Sequence, residues 1–559
     1  MDGAVLPGPK QTRSGAGRLA LTLVKRYAVV ILVIVALILL ANYLDLVSQT
    51  PPAQSSAARL PAGITAASAP GTPGTTVGGG RCAPGVRQVP WSYYAPICVP
   101  AWHGNNGGAT APGVTGSTIT ITYREASSAE LSALYSLVPA GVIGTNQEAV
   151  QTMQAYIKTF NREFELYGRH VVLKAFVGMG DFVQELNGQD QQDADEDALT
   201  AKALGAFADS SVFDSTPVYT QALADQHVIG LTIFGGPNQV FEQASPYLYT
   251  SGTVCSQGNA ETEQLVRRVL DITPSSFAGD PSLNGKMRVF GMIVTGTAQT
   301  EHCEYQVISD LKSKYGITMM PPINLSLDGS NLIAKAGAAI GQLKAAGVTT
   351  VLCSSCDFFT PVFLTKAADA EDYHPEWIQT DFLDALTALQ SPTQLSGTRG
   401  FGTQVPPQQT TEAYKAFELG ASPGTQIVPS FSSFYAPLLM FFDALQAAGP
   451  DLTPRTFQQA FRRLPPSLPG GMYGNWAFSA GSFDPHASYG LVHWSSTELS
   501  AIDGQPGAWV NCNNGRQYNY SGLPPQLPIG DPVDCSASGA GSAAATAPPG
   551  NAAGSPVPP

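Results

Sequence analysis

The chain has 559 residues, of which 43% are hydrophobic and 13% charged, with 57 Gly, 44 Pro and a formal net charge of −13 at pH 7. That acidic balance argues against nucleic acid and anionic lipid as partners, since both require a basic face. The length and apolar content suffice for large buried cores, and much of the Gly and Pro lies near the two ends.

Residues 1–26 carry five basic side chains, Lys10, Arg13, Arg18, Lys25 and Arg26, against one acid. The apolar run 27–47 follows, and at 1.5 Å per residue it spans about 31 Å, enough to cross a bilayer as a transmembrane helix. Cations on one flank only place residues 1–26 in the cytoplasm and everything after Val47 outside the cell membrane. The run is read as an uncleaved signal anchor. A cleaved signal peptide is the alternative, but no small-x-small site lies close behind Ala41. No cysteine follows closely enough to accept a lipid, the first being Cys82.

All eight cysteines lie on the exported side, and an even count in an oxidising compartment favours disulfides. Spacing does not fix the connectivity. Nearest-neighbour pairing is simplest: Cys82 with Cys98, Cys255 with Cys303, Cys353 with Cys356, and Cys512 with Cys535.

Residues 48–112 read as a Pro/Gly-rich linker, too poor in large apolar side chains before Gly80 to order itself, ending in a lead-in around Cys82 and Cys98 with Trp91, Tyr93, Tyr94 and Trp102. A strand is then predicted at Ser117–Tyr123 and a helix over Gln147–Tyr167, whose apolar positions recur every three or four residues. Strands at Val171–Val177, near Ala206–Val212 and at Val228–Phe234 alternate with helices near Asp193–Ala206 and Pro217–Gln226. After Gly252 the alternation restarts, with strands at Met287–Val294, near Ile317, at Val348–Cys353 and near Trp377–Thr380. The helices between them are Ala260–Leu270, Glu304–Tyr315, Leu332–Ala346 and Pro361–Ala370. Two such blocks imply an α/β protein with two doubly wound, Rossmann-like lobes. Phe431–Ala448 is apolar on nearly all sides and should be a buried helix; Thr453 with Pro454 then opens another. Residues 513–535 form a Cys-stapled extension, and 536–559, rich in Ala, Gly, Ser and Pro, are assigned as disordered.

The order of elements and several strings resemble the type I periplasmic binding proteins of the branched-chain amino acid (Leu/Ile/Val-binding) family. The strings are Gly113-Val-Thr-Gly-Ser-Thr-Ile-Thr-Ile121, Ala367-Ala-Asp-Ala-Glu-Asp-Tyr-His-Pro-Glu-Trp377, Tyr435-Ala-Pro-Leu438, Phe442 through Pro454, and Gly490-Leu-Val-His-Trp494. The resemblance covers about residues 113–510 through its colinear order, no single string being diagnostic. It implies lobe 1 over 113–251 with 404–478, lobe 2 over 252–403 with 479–512, and a three-strand hinge crossing near Thr250, Thr403 and Ala477.

It also implies a non-enzymatic, extracytoplasmic solute-binding protein that holds an amino acid or related small polar solute between the lobes and serves an ABC permease in amino acid transport, without cofactor or metal. By position it offers Ser215 for a ligand carboxylate, Gly235 and Gly236 for backbone contacts, Phe358 or Phe359 as a covering aromatic, and Asp381 or Asp384 for an ammonium. The chain departs from the family's pattern where Pro237 replaces a hydroxyl residue beside Asn238, which puts an ordinary α-carboxylate in doubt. Each position has a plainer reading: Ser215 as a helix N-cap, the Phe pair as core, Asp381 as a strand end. A ligand sensor working through a partner is an alternative, since residues 1–26 are too short for an output domain.

Other chemistry is weaker. Cys353-Ser-Ser-Cys356, between a strand and a helix, could serve a thiol–disulfide oxidoreductase, but a structural disulfide is the simpler reading. The run Asp193-x-Asp195-x-Asp197 lacks the turn glycine and bidentate Glu of a calcium loop, having Ala198 and Leu204 there. Gly279 to Lys286 has five residues between its glycines and Met287 in place of a Ser or Thr, so it is not a phosphate loop. The seven His show no paired metal spacing.

Overall fold

The computed structural model describes residues 60–137, 140–294, 301–325, 331–354, 356–357, 359–380, 384–530 and 535. The apolar run 27–47 and the tail 536–559 lie outside these residues, and among the described residues no helix is long and apolar enough to cross a membrane.

Two sheets organise the chain. The first has five parallel strands: β1 (Thr118–Glu125), β2 (His170–Val177), β3 (Ala208–Val212), β4 (Ile229–Thr232) and β5 (Leu248–Thr250), in the spatial order β2-β1-β3-β4-β5. The chain therefore leaves β1 to one side and returns on the other, putting a topological switch point between β1 and β3. The second sheet is larger, with β6 (Phe290–Val294), β7 (Ile323–Asn324), β8 (Thr350–Cys353), β9 (Glu376–Thr380) and β10 (Thr398–Phe401) parallel in the order β7-β6-β8-β9-β10. An antiparallel hairpin, β11 (Leu491–Leu499) and β12 (Pro506–Asn511), extends its β10 edge.

The first sheet's core explains why residues far downstream return to it. Ile119, Ile121 and Tyr123 of β1 are buried against Met153, Tyr156 and Phe160 of the Asn146–Glu163 helix and against Phe434, Tyr435 and Phe442 of the Phe431–Ala448 helix. The Asn146 helix begins with a capping box, Thr145 Oγ1 accepting from Glu148 N at 3.2 Å while Glu148 Oε2 accepts from Thr145 N at 2.8 Å. Phe431–Ala448 is enclosed by the Glu412–Gly420 and Pro454–Phe461 helices, so its apolar circumference has somewhere to go. Thr453 caps the last of these, with Pro454 at its first position.

Residues 71–80, expected within the linker, are instead tied to the body. Gly74–Thr75 pairs with Arg81–Cys82, Gly71 N donates to Cys98 O at 2.7 Å, and Cys82–Cys98 is bonded. Backbone pairing, not side-chain burial, orders this stretch, which is why composition missed it. The lead-in beyond packs on the first core: Val89, Tyr94, Ala95 and Cys98 are buried, Tyr94 lies 4.2 Å from the Trp476 ring, and Glu412 Oε2 accepts from Tyr93 N at 2.7 Å.

The other three disulfides are Cys255–Cys303, Cys353–Cys356 and Cys512–Cys535, the nearest-neighbour set. Cys255 and Cys303 join the facing helices Cys255–Leu265 and Glu301–Tyr315. Three chain connections run between the sheets. Thr250 N donates to Phe483 O at 2.9 Å and Gly402 N to Gly490 O at 3.1 Å, so residues 483–490 are bonded to both other connections.

Candidate functional site

Just beyond the carboxyl ends of β1, β2 and β3 lies a cavity of about 110 Å³. Tyr123 and Ala126 come from the end of β1, Asp181, Phe182 and Val183 from the loop after β2, and Phe213 and Asp214 from the turn after β3. Ala149 and Phe434 contribute from the two helices behind, and Leu386, which follows β9, closes it from the second sheet. This is the switch-point crevice where open α/β sheets hold ligands. An apolar cluster seals the same region across the two sheets, with Phe182 and Phe234 on one side and Leu332, Phe359 and Leu386 on the other.

A buried ionic network supports the wall. Arg124, at the end of β1, donates from Nη1 to Glu185 Oε1 at 2.7 Å and from Nη2 to Glu185 Oε2 at 2.8 Å. Its Nη1 also lies 3.1 Å from Asp197 Oδ2, its Nη2 donates to the Asp214 carbonyl at 2.6 Å, and its guanidinium sits 3.9 Å from the Tyr219 ring centroid. Burial opposes the Arg124 charge, but the hydrogen bonds and charge of Glu185 outweigh it and hold the group above its usual range. Nearby, burial pushes Asp209 up to about 6, although Ser211, Thr122 and Tyr219 bond to its carboxyl group. Val212 takes φ of 50°, unusual for a β-branched residue and costing about 1–3 kcal/mol, at the bend that turns Phe213 and Asp214 to the cavity.

The polar groups facing the cavity divide into used and unused. Glu130 accepts from Phe182 N at 2.8 Å and from Ser127 N at 3.2 Å, and Asn146 Nδ2 donates to Ala126 O at 2.8 Å. Asp214 is only 9% exposed, and its carboxyl group has no hydrogen-bond partner among the described residues. Burial, followed by the neighbouring Glu130 charge, pushes that carboxyl well above the ordinary range.

The residues proposed from sequence distribute differently. Ser215 is 1% exposed and bonds to Val212 O and, at 3.0 Å, to Thr232 Oγ1; the cap of the following helix is its neighbour Thr216. Gly235 lies against Thr253, where a Cβ would meet the Thr253 carbonyl, so it serves the chain connection after β5. Gly236 accepts from Cys255 N at 2.9 Å, and Asn238 Oδ1 accepts from Ser256 N at 3.2 Å, in the same connection. Phe359 joins the apolar cluster across the cleft. Asp384 accepts from Trp509 N at 3.1 Å and thus braces the β12 hairpin. Phe358 and Asp381 lie outside the described residues. Cys353 and Cys356 are bonded and buried in the second sheet's core.

Tyr123, Phe182, Phe213 and Asp214 were not singled out from sequence. The one available signal was Asp214 directly before Ser215-Thr216-Pro217, an acid outside a helix start rather than in it.

No family model matches the sequence, and no curated protein matches it. Among solved structures the chain is similar to a fatty acid ABC transporter substrate-binding protein from Thermomonospora curvata, at 15% identity and a TM-score of 0.52, over 76% of this chain and 98% of that one. It is also similar to an ABC transporter solute-binding protein from Rhodopseudomonas palustris HaA2 in complex with p-hydroxybenzoic acid, at 11% identity, TM-score 0.49, over 72% and 98%. A substrate-binding protein from Desulfitobacterium hafniense in complex with Leu gives 13% identity, TM-score 0.45, over 70% and 99%. At these identities the likeness to the Thermomonospora curvata structure carries the fold: a type I periplasmic binding protein-like α/β fold with parallel sheets.

Proposed function

We propose that this chain is an extracytoplasmic solute-binding protein, held to the cell membrane by residues 27–47, that captures an amino-acid-like or related small organic solute for an ABC importer. The observation that carries this reading is the cavity at the β1/β3 switch point, lined from the first sheet and closed by Leu386 from beside the second. Closure of the two sheets over the solute would present a bound-state surface to a permease. The fold shared with the Thermomonospora curvata protein supports the reading.

Its test is mass spectrometry of the full chain purified in detergent under non-denaturing conditions. One small organic solute retained per chain and released on unfolding is expected; a chain that neither retains a solute nor takes one up from a metabolite extract refutes it.

A further inference from the structure

The cavity's chemistry is uneven in a way that selects for charge. Its lining contains three acids, Glu130, Asp181 and Asp214, and no Lys, Arg or His. Arg124, close behind it, is already committed to Glu185, Asp197 and the Asp214 carbonyl. Three backbone donors at the rim are committed too: Phe182 N to Glu130 at 2.8 Å, Asp181 N to Asp190 at 2.7 Å, and Thr145 N to Glu148 at 2.8 Å. Among the lining residues a ligand carboxylate would find no cation and would face three acids. The groups left over are the Asp214 carboxyl and the Tyr123 hydroxyl, both on residues more than nine-tenths buried and neither with a hydrogen-bond partner among the described residues. Both residues line the cavity, so a polar group on a molecule that enters it can pair with them.

Resting on the solute-binding reading, we propose that the solute is an amine: a cationic ammonium head that meets Asp214, with the Tyr123 hydroxyl accepting a second hydrogen bond, on a compact apolar body enclosed by Phe182, Phe213, Phe434 and Leu386. The cavity of about 110 Å³ is smaller than the cavities of about 150 Å³ that hold benzene, so it suits a short alkyl body. The counter-charge thus comes from the first sheet.

Calorimetry on the full chain in detergent, stripped of solute by reversible unfolding, tests this with 3-methylbutylamine, 4-methylpentanoate and 3-methylbutan-1-ol, which share a body and differ in head. The amine should bind at least about tenfold more tightly than either other probe, and Asp214→Asn should reduce its affinity by about tenfold or more. The groups acting on Asp214 are Tyr123 and Arg124 on β1, Glu130 on the Ser128–Leu137 helix, Glu185 on the Phe182–Leu186 helix, Asp209 on β3, and Asp181 in the facing loop. Burial and the Glu130 charge disfavour the ionised Asp214 carboxyl in the empty cavity, whereas an ammonium favours it, so amine binding should release protons and affinity should rise with pH in the unsubstituted protein. This readout does not depend on the variant folding. Equal or tighter binding of the acid or alcohol, binding of none of the three, or an amine affinity indifferent to pH and to Asp214→Asn overturns the amine assignment. A retained acidic or neutral solute would overturn it while leaving the solute-binding reading intact.

Discussion

Replacing Arg124 with Met should be among the most damaging single changes in the first sheet, and its cost should depend on pH. Arg124 is 2% exposed and Glu185 is fully buried, and the pair is joined by two hydrogen bonds of 2.7 and 2.8 Å. Removing one partner of such a pair leaves a buried charge uncompensated, which costs about 3–5 kcal/mol. Thr216 alone would remain bonded to Glu185, and the Asp214 carbonyl would lose its donor. A buried carboxylate left without its cation is relieved by taking up a proton, so the loss is full at high pH and shrinks as pH falls. Urea unfolding at pH 7.5 and pH 5, followed by the fluorescence of the buried Trp377 and Trp476, measures both values. Adding Glu185→Gln to Arg124→Met should recover much of the loss by removing the unpaired charge. A loss below about 1 kcal/mol, equal losses at the two pH values, or no recovery in the double variant would refute the network's role.

Three further outcomes follow from individual contacts. Gly180→Ala should destabilise by about 1–3 kcal/mol in thermal melts, since its Cβ would run into Glu185 Oε1 and lie 2.8 Å from Arg124 Nη1. Burial pushes Glu412 up to about 7, above its unfolded value near 4.3, so the folded chain holds this proton more tightly and the group's contribution to stability is lost as pH rises from about 4.5 to 7. Glu412→Gln should flatten stability across that window by up to about 3 kcal/mol in pH-dependent unfolding, and an unchanged slope would count against it. Asp384→Ala should lower stability by about 1–3 kcal/mol through the orphaned Trp509 amide while changing solute affinity less than twofold by calorimetry.

Much of the fold was legible because periodicity reports burial directly. Phe431–Ala448, apolar all round, is the helix the sequence pattern requires, with fourteen of its residues buried. Thr453-Pro454 marks a helix start by its own chemistry. Ile317 misled: it reads as a short strand, yet its amide bonds to Leu311 O at 3.1 Å and its side chain plugs the end of the Glu301–Tyr315 helix, while β7 lies further on at Ile323–Asn324. Cys255 begins a helix whose first turn holds Ser256 and Gly258, residues of weaker helical preference, so the expected start at Ala260 came five residues late. The site was less legible than the fold. Asp214 and Phe182 are 32 residues apart in sequence and adjoin only because β2 and β3 flank β1, a pairing that no local pattern encodes. Ser215 was one residue from the wall, and a strand turn reverses which of two neighbours faces the cavity.

The central claim is that the cavity between Tyr123, Phe182, Asp214 and Leu386 is where the solute sits. Ala126, in its wall and 8% exposed, can be changed to Phe to fill it without touching the Arg124 network. The decisive measurement is the amount of solute retained per chain by the full-length protein and by Ala126→Phe, each purified without denaturation, weighed by native mass spectrometry, and checked for an intact fold by its near-ultraviolet circular dichroism. The account predicts one solute per chain in the unsubstituted protein and none in the variant; equal retention by both, with the fold preserved, would contradict it.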